Sequence, residues 1–327
     1  MGDVVVIRNA VRSIALAALA ALPLAACAAD SGATRFLSIG TAGTGGIYYP
    51  LGGALASLLS AQDSARQYTA EVSGGSVENV NRLRSGQIDL AFAIATTVYE
   101  AYHGGQDFAE PDTMLRIIAP LYPNVTHVLV GRTSDARSVA DLRGRRVSVG
   151  PPGSGTEQLA RQLLEAYGLT YDDVDERYLS FAESASALAD GAIDAAILSV
   201  GYPAAAVLEA TTTGGARLLP VDAERSAQLA RQYPYYTPGV IPAGAYRGVS
   251  ADVPTVAVMN WVIARADLDD AVVEQVLRIL RDERARLEQV SAIAAQIDLA
   301  ALRSAPIPLH VAAARWVEGA ERRQVEP

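Results

Sequence analysis

Lysine is absent from this chain of 327 residues, and cysteine occurs once, at position 27. The first absence excludes a Schiff-base lysine and the lysine of a phosphate-binding P-loop. The second leaves no internal disulfide and no thiol nucleophile in the body of the chain. Histidine is almost as scarce: His103, His127 and His310 stand far apart, without the spacing of a metal set or a catalytic pair. No HExxH, CxxC, G-x-S-x-G or Walker sequence occurs. Acidic residues outnumber basic ones, 36 to 27, for a formal net charge of −9. Such a surface repels nucleic acid and anionic lipid, so neither is an expected partner. No metal, no cofactor and no enzymatic activity are expected.

Long apolar runs are also missing, apart from one near the start. Residues 1–12 carry Arg8 and Arg12, 13–22 are almost pure Ala, Leu and Ile, and Leu24-Ala25-Ala26-Cys27 follows. This is the layout of a secretory signal, too short for a bilayer span of about 20 residues. A small-residue pair directly before Cys27 is the bacterial lipobox pattern. The expectation is a lipoprotein-type signal over 1–26, lipidation at Cys27 and a linker over 27–35. The competing reading is ordinary cleavage after Ala26–Ala28, which discards Cys27. Either way the protein is exported, periplasmic or extracytoplasmic, and touches membrane only through an anchor at Cys27.

What is present is a repeat. Ser38–Gly45 reads SIGTAGTG and Ser148–Gly155 reads SVGPPGSG. Each follows a β-rich run and precedes a helical pattern. Leu83–Ala91 reads LRSGQIDLA and Leu188–Ala196 reads LADGAIDAA. In each, a Gly suited to a helix C-cap leads into Ile-Asp-x-Ala and a buried strand. The repeat predicts two similar α/β lobes. Ile117–Val130 and Val256–Ala264 are apolar and β-rich, as strands crossing between lobes would be. A helix over Asp269–Gln289, with apolar residues at helical spacing, returns to the first lobe.

The glycine loops suggest chemistry. The first N–H groups of a helix have no internal partner, and the helix dipole places partial positive charge there. Glycine lets a ligand approach the backbone, and Thr or Ser adds donors, so an anion can be held without a basic side chain. Thr44-Gly45-Gly46 is expected to open one helix and Gly153-Ser154-Gly155-Thr156 the other. Val72–Asn81 offers a third such start, with Ser76 as N-cap and Asn79 three residues on. Tyr48-Tyr49 and Tyr233–Tyr236 are candidate aromatic walls. A small carboxylate gripped between two lobes fits these features. Arg82, Arg161, Arg177 and Arg247 could each add a charge contact, and one in the cleft would favour a dicarboxylate.

Taken in order, GTAGTGGIYYPLG, SGGSVENVNRLRSGQIDLA and LRGRRVSVGPPGSGTE resemble the TAXI family, extracytoplasmic solute receptors of TRAP transporters. The resemblance runs from about Phe36 to the last long helix. It implies a two-lobed type II periplasmic-binding-protein fold, two α/β lobes joined by hinge strands with a ligand cleft between. On that plan lobe 1 is 36–126 plus 258–327 and lobe 2 is 127–257. It also implies a membrane permease partner driven by an ion gradient, and a solute such as glutamate, a related dicarboxylate or an amino acid. Carried over by position, the site would hold Thr44, Gly45, Gly46, Tyr48, Tyr49, Ser76, Asn79, Gly153, Ser154, Gly155 and Thr156. Gly201-Tyr202-Pro203 resembles a further cleft segment, which adds Tyr202 and Pro203. A lipobox is not general in that family.

Two other readings compete. The same fold serves ATP-driven importers and sensor kinases. An exported hydrolase would use Ser154 or Glu157, although no base is spaced to activate Ser154; Glu157 could equally meet a ligand ammonium group.

Overall fold

The computed structural model describes residues 34–325. The signal segment and Cys27 lie outside the described residues. Ten strands occur among them: β1 (Arg35–Gly40), β2 (Arg66–Glu71), β3 (Leu90–Ile94), β4 (Leu115–Val130), β5 (Arg146–Ser148), β6 (Asp175–Arg177), β7 (Ala195–Val200), β8 (Arg217–Leu219), β9 (Tyr236–Ile241) and β10 (Val253–Arg265). The helices are α1 (Tyr48–Gln62), α2 (Ser76–Arg84), α3 (Ala95–His103), α4 (Gly155–Ala166), α5 (Phe181–Ala189), α6 (Ala205–Thr212), α7 (Ala223–Gln232), α8 (Asp270–Asp282), α9 (Arg284–Val290) and α10 (Val311–Val325). No helix among the described residues is long and apolar enough to cross a membrane.

The strands run in the order β2-β1-β3-β10-β4-β7-β5-β6, with β8 on β4 and β9 on β10. β1 and β3 are parallel, as are β5 and β7. β3 and β7 are buried along their whole length, which is why they read as unbroken apolar runs instead of alternating ones. Two long antiparallel strands bridge the halves. β10 pairs with β9 from Val253 to Val258 and with β3 from Asn260 to Ala264. β4 pairs with β7 only from Val125 onward. Each long strand therefore begins in one lobe and ends in the other. The expected crossing strands are present, and the fold is the two-lobed type II design.

The repeat has a visible mechanical basis. Gly86 and Gly191 both take φ near +70°, the left-handed turn that ends α2 and α5. The Asp of each Ile-Asp pair then clamps the strand beside it. Asp89 accepts from Ser38 N–H at 2.9 Å through Oδ2, and its own N–H donates to the Ser38 carbonyl at 3.1 Å. Asp194 does the same with Arg146, at 2.8 and 2.9 Å.

Two expectations need correction. The helix read as Asp269–Gln289 is two helices, α8 and α9, broken at Glu283, where ψ rises to 15°. α8 does return to the first lobe: Gln275 Nε2 donates to the Leu59 carbonyl of α1 at 3.2 Å. α10, absent from the sequence reading, follows it. Ser76 is not an N-cap: Gly75 takes the cap position at φ 123°, which only glycine adopts readily, and Ser76 is the first helical residue.

Candidate solute-binding site

A cavity of about 280 Å³ lies between the two lobes. The N-cap residues of five helices all line it: Ile47 of α1, Gly75 of α2, Ile94 of α3, Ser154 of α4 and Ser180 of α5. Three come from the first lobe and two from the second. The cause is the topology: each of these helices leaves the carboxyl edge of the sheet, where α/β folds place their ligands. The unpartnered N–H groups and the positive dipole ends of the five helices therefore face one small volume.

No Arg, Asp, Glu or His side chain lines this cavity among the described residues. Its polar lining residues are neutral: Thr44, Ser76, Ser154, Thr156, Ser180, Ser199, Asn124, Tyr48 and Tyr122. Ser154 Oγ accepts from Glu157 N–H at 3.1 Å and Ser180 Oγ from Glu183 N–H at 3.3 Å, capping α4 and α5. A hydroxyl that accepts in this way keeps its proton for a ligand. Ile47, Val72, Ile94, Phe181 and Val200 supply the apolar wall.

Behind the lining runs a buried polar chain. Tyr48 OH donates to Asn260 Oδ1. Asn260 Nδ2 donates to the Tyr122 carbonyl at 2.6 Å and to Asn124 Oδ1 at 2.8 Å. Asn124 Nδ2 donates to the Ser199 carbonyl at 2.9 Å. This chain ties α1, both crossing strands and β7 together at the cavity. Burial holds both phenols protonated: that of Tyr48 is raised above its ordinary range, and that of Tyr122 well above it, the nearby Tyr48 adding to the effect.

The lobes touch around the cavity, and glycine permits the contact. A Cβ on Gly155 would stand 2.5 Å from Ile94 Cδ1 and 3.0 Å from Ser76 Oγ. One on Gly74 would stand 2.5 Å from the Pro152 carbonyl oxygen. Glu78 N–H donates across the gap to the Gly153 carbonyl at 3.0 Å.

Of the residues expected at the site, Thr44, Gly45, Gly46, Tyr48, Ser76, Ser154, Gly155 and Thr156 line the cavity. Tyr49, Asn79, Gly153, Tyr202 and Pro203 do not. α1 begins at Tyr48, later than the glycines suggested, so Tyr48 and Tyr49 sit about 100° apart on a helix. Tyr48 turns inward, packing edge-on to Phe92, and Tyr49 faces solvent. Asn79 is fully buried and fastens the frame: its Nδ2 donates to the Thr41 and Phe92 carbonyls at 2.7 and 2.8 Å, and its Oδ1 accepts from Ser73. Gly153 gives its carbonyl to Glu78. The Gly201 segment passes behind the cavity, where the glycine leaves room for the Tyr122 ring.

None of the candidate arginines reaches the cavity. Arg82 pairs with Glu71, Arg177 with Asp175, and Arg161 with Asp107 at 2.8 Å and Glu157 at 3.4 Å. Arg247 is exposed elsewhere. Glu157 accepts from Tyr171 OH at 2.8 Å and faces away from the lining. The Tyr233–Tyr236 cluster packs with Tyr99 near Glu100, apart from the cavity. His127 is buried against Tyr246 OH at 2.9 Å, with burial pushing its ring down to about 4. Neither His310, bonded to the Leu268 carbonyl, nor His103, packed on Tyr99, is near Ser154. Tyr122, Asn124, Ser180, Phe181 and Ser199 were missed by sequence reasoning. The one available signal was Pro120-Leu121-Tyr122-Pro123, two prolines inside an apolar strand, which mark an irregularity.

Fold and cavity together define the class, the two-lobed type II periplasmic-binding-protein fold with a cavity between its lobes. Residues 39–318 match the NMT1-like family, and the chain belongs to it. A protein of Escherichia coli (strain K12) named for binding aliphatic sulfonates is 32% identical over 102 residues, a match spanning 31% of this chain and 30% of that relative's length. Two solved structures are similar to the chain. PhnD1 from Prochlorococcus marinus (MIT 9301), in complex with methylphosphonate, is 13% identical with a TM-score of 0.55, over 90% of this chain and 100% of that one. The alkanesulfonate-binding protein SsuA from Xanthomonas axonopodis pv. citri, bound to MOPS, is 20% identical with a TM-score of 0.47, over 83% of each chain. The family shown is thus broader than the TAXI resemblance.

Proposed function

We propose that this protein captures a small organic monoanion outside the cytoplasm and hands it to a membrane importer. The observation that carries this reading is the convergence of five helix starts and neutral hydroxyls on a cavity without charged side chains. Such a site stabilises one compact anionic head through backbone donors. It offers no carboxylate for an ammonium group and no arginine for a second acid. That weighs against amino acids and against glutamate or other dicarboxylates. The apolar wall suits a short aliphatic or aromatic body. A sulfonate or phosphonate head meets these demands with three oxygens, and the E. coli relative is named for aliphatic sulfonates. A monocarboxylate is the next candidate. The lining residues act as donors and wall, with no bond made or broken.

The lobes are proposed as 36–126 plus 258–327 and 127–257. The pairing switch of β10 between Val258 and Asn260, and the start of β7 pairing at Val125, support both crossings. Closure would be a hinge motion at these points. For delivery, an ATP-driven importer is the first reading, in keeping with the family and with the E. coli relative named for aliphatic sulfonates. The second reading is a TRAP permease, favoured by the three ordered motifs whose loops reach the cavity. Loss of uptake on collapsing the sodium gradient, with ATP maintained, would select the second.

The test is native mass spectrometry of the purified protein, then thermal melts against alkanesulfonates, alkylphosphonates, monocarboxylates, dicarboxylates and amino acids. A solute at 100 times its Kd adds about 2.7 kcal/mol to the folded state. Stabilisation by monoanions alone supports the reading. A larger shift from glutamate or another amino acid overturns the monoanion assignment.

A further inference from the structure

One buried donor at the cavity has no partner. Among the described residues, four buried side-chain polar atoms lack a hydrogen bond: Thr96 Oγ1, Tyr122 OH, Thr126 Oγ1 and Trp261 Nε1. Of these residues only Tyr122 lines the cavity. Its side chain is fully buried, so its hydroxyl forgoes water as well. Leaving such a donor unpaired is costly, and proteins rarely carry one without use.

The backbone explains how Tyr122 comes to face the cavity. Trp261 pairs with Pro120 and Met259 with Pro123. Between them β10 has one residue, Asn260, and β4 has two, Leu121 and Tyr122. This is a β-bulge at the crossing of the two lobes, flanked by prolines that could not serve a regular ladder. A bulge re-aims a side chain. Asn260 holds it in place by donating to the Tyr122 carbonyl at 2.6 Å. The ring is seated behind by Gly201, where a Cβ would stand 3.1 Å from Tyr122 Cε2. The frame thus spends a bulge, two prolines, a buried Asn and a glycine on one phenol whose hydroxyl has no hydrogen-bond partner among the described residues.

We infer that the Tyr122 hydroxyl is a solute-binding donor and the specificity-determining group of the cavity: it donates to an oxygen of the solute's anionic head at the crossing point. The inference rests on the solute-receptor reading above. It adds that the head, not the apolar body, is the part held at the hinge. A donor at this position also links capture to closure, because both crossing strands meet at the bulge.

The experiment compares wild type with Tyr122→Phe, using 1-propanesulfonate as the probe in titration calorimetry and thermal melts without solute. Phe keeps the ring and removes only the orphaned hydroxyl. The expected result is about 10- to 100-fold weaker binding, the range for a bond to a charged group, with a solute-free melting point equal or higher. Binding within about twofold of wild type overturns the inference and leaves the receptor reading standing. A lower solute-free melting point also overturns it, since the hydroxyl would then have an internal partner. Failure of wild type to bind the probe removes the sulfonate reading, and this inference with it.

Discussion

Replacing Gly74 by alanine tests whether the contact across the cleft belongs to the closed form alone. The added Cβ would stand 2.5 Å from the Pro152 carbonyl oxygen and 2.9 Å from Glu78 Oε2, where ordinary contact begins at 3.4 Å. The Glu78 carboxylate can swing aside. The Pro152 oxygen is backbone and must retreat by nearly 1 Å. Overpacking of this size costs about 1–3 kcal/mol. If the loop bearing Gly74 and the loop bearing Pro152 meet only on closure, the open form carries no clash, and the whole cost falls on the closing step. Solute affinity then drops by roughly 5- to 150-fold while the solute-free melting point stays put. Calorimetry and melts of the same preparation separate the terms, and small-angle scattering of the solute-loaded variant should show a wider particle than loaded wild type. Undiminished affinity would refute the reasoning. So would a loss of solute-free stability matching the loss of affinity, because the contact would then be permanent.

Three further outcomes are expected. Thr156→Ala should weaken solute binding several-fold at unchanged melting point; equal affinity would remove the start of α4 from the site. Asn79→Leu should do the reverse. It takes one donor from each of the Thr41 and Phe92 carbonyls, the first of which keeps Ser73 Oγ at 2.9 Å, at a cost of about 1–3 kcal/mol, which lowers the melting point by several degrees in urea-free melts while folded protein keeps its affinity. Burial pushes His127 down to about 4, so the folded ring stays neutral while the unfolded ring protonates near 6.5. Its contribution, roughly 3 kcal/mol, is present above pH 6.5 and is lost as pH falls toward 4. An NMR titration of the ring that moves near pH 6.5 would sink this.

The lobes were legible because they rest on local rules repeated twice. A left-handed glycine followed by Ile-Asp ends a helix and starts a buried strand, and it does so at Gly86 and again at Gly191. The loops reaching the cavity were legible for the same reason. Which side chain of a loop turns inward was not. Tyr48 and Tyr49 look alike in sequence, and the step of about 100° between neighbours on α1 turns one inward and the other to solvent. Asn79 occupies the place of a capping partner, yet its bonds go to carbonyls 38 and 13 residues away, a pairing that no local pattern encodes. The tyrosines of 233–236 meet Tyr99 and Glu100 of α3 and Gln162 of α4, again a product of tertiary packing. Tyr122 and Ser199 lie in strands whose apolar character conceals them.

The neutral lining of the cavity has a consequence for where such a protein can work. Space outside the cytoplasm takes on the acidity and salinity of its surroundings. A grip made of arginine and carboxylate would loosen as salt screens it or as the acid titrates. Here the donors are backbone amides, hydroxyls and phenols, and burial holds the phenols of Tyr48 and Tyr122 protonated well beyond neutral pH. From mildly acid to mildly alkaline surroundings, occupancy should follow the charge state of the solute alone. A strong acid such as a sulfonate keeps its charge throughout, so the receptor would fill to the same extent across changing habitats.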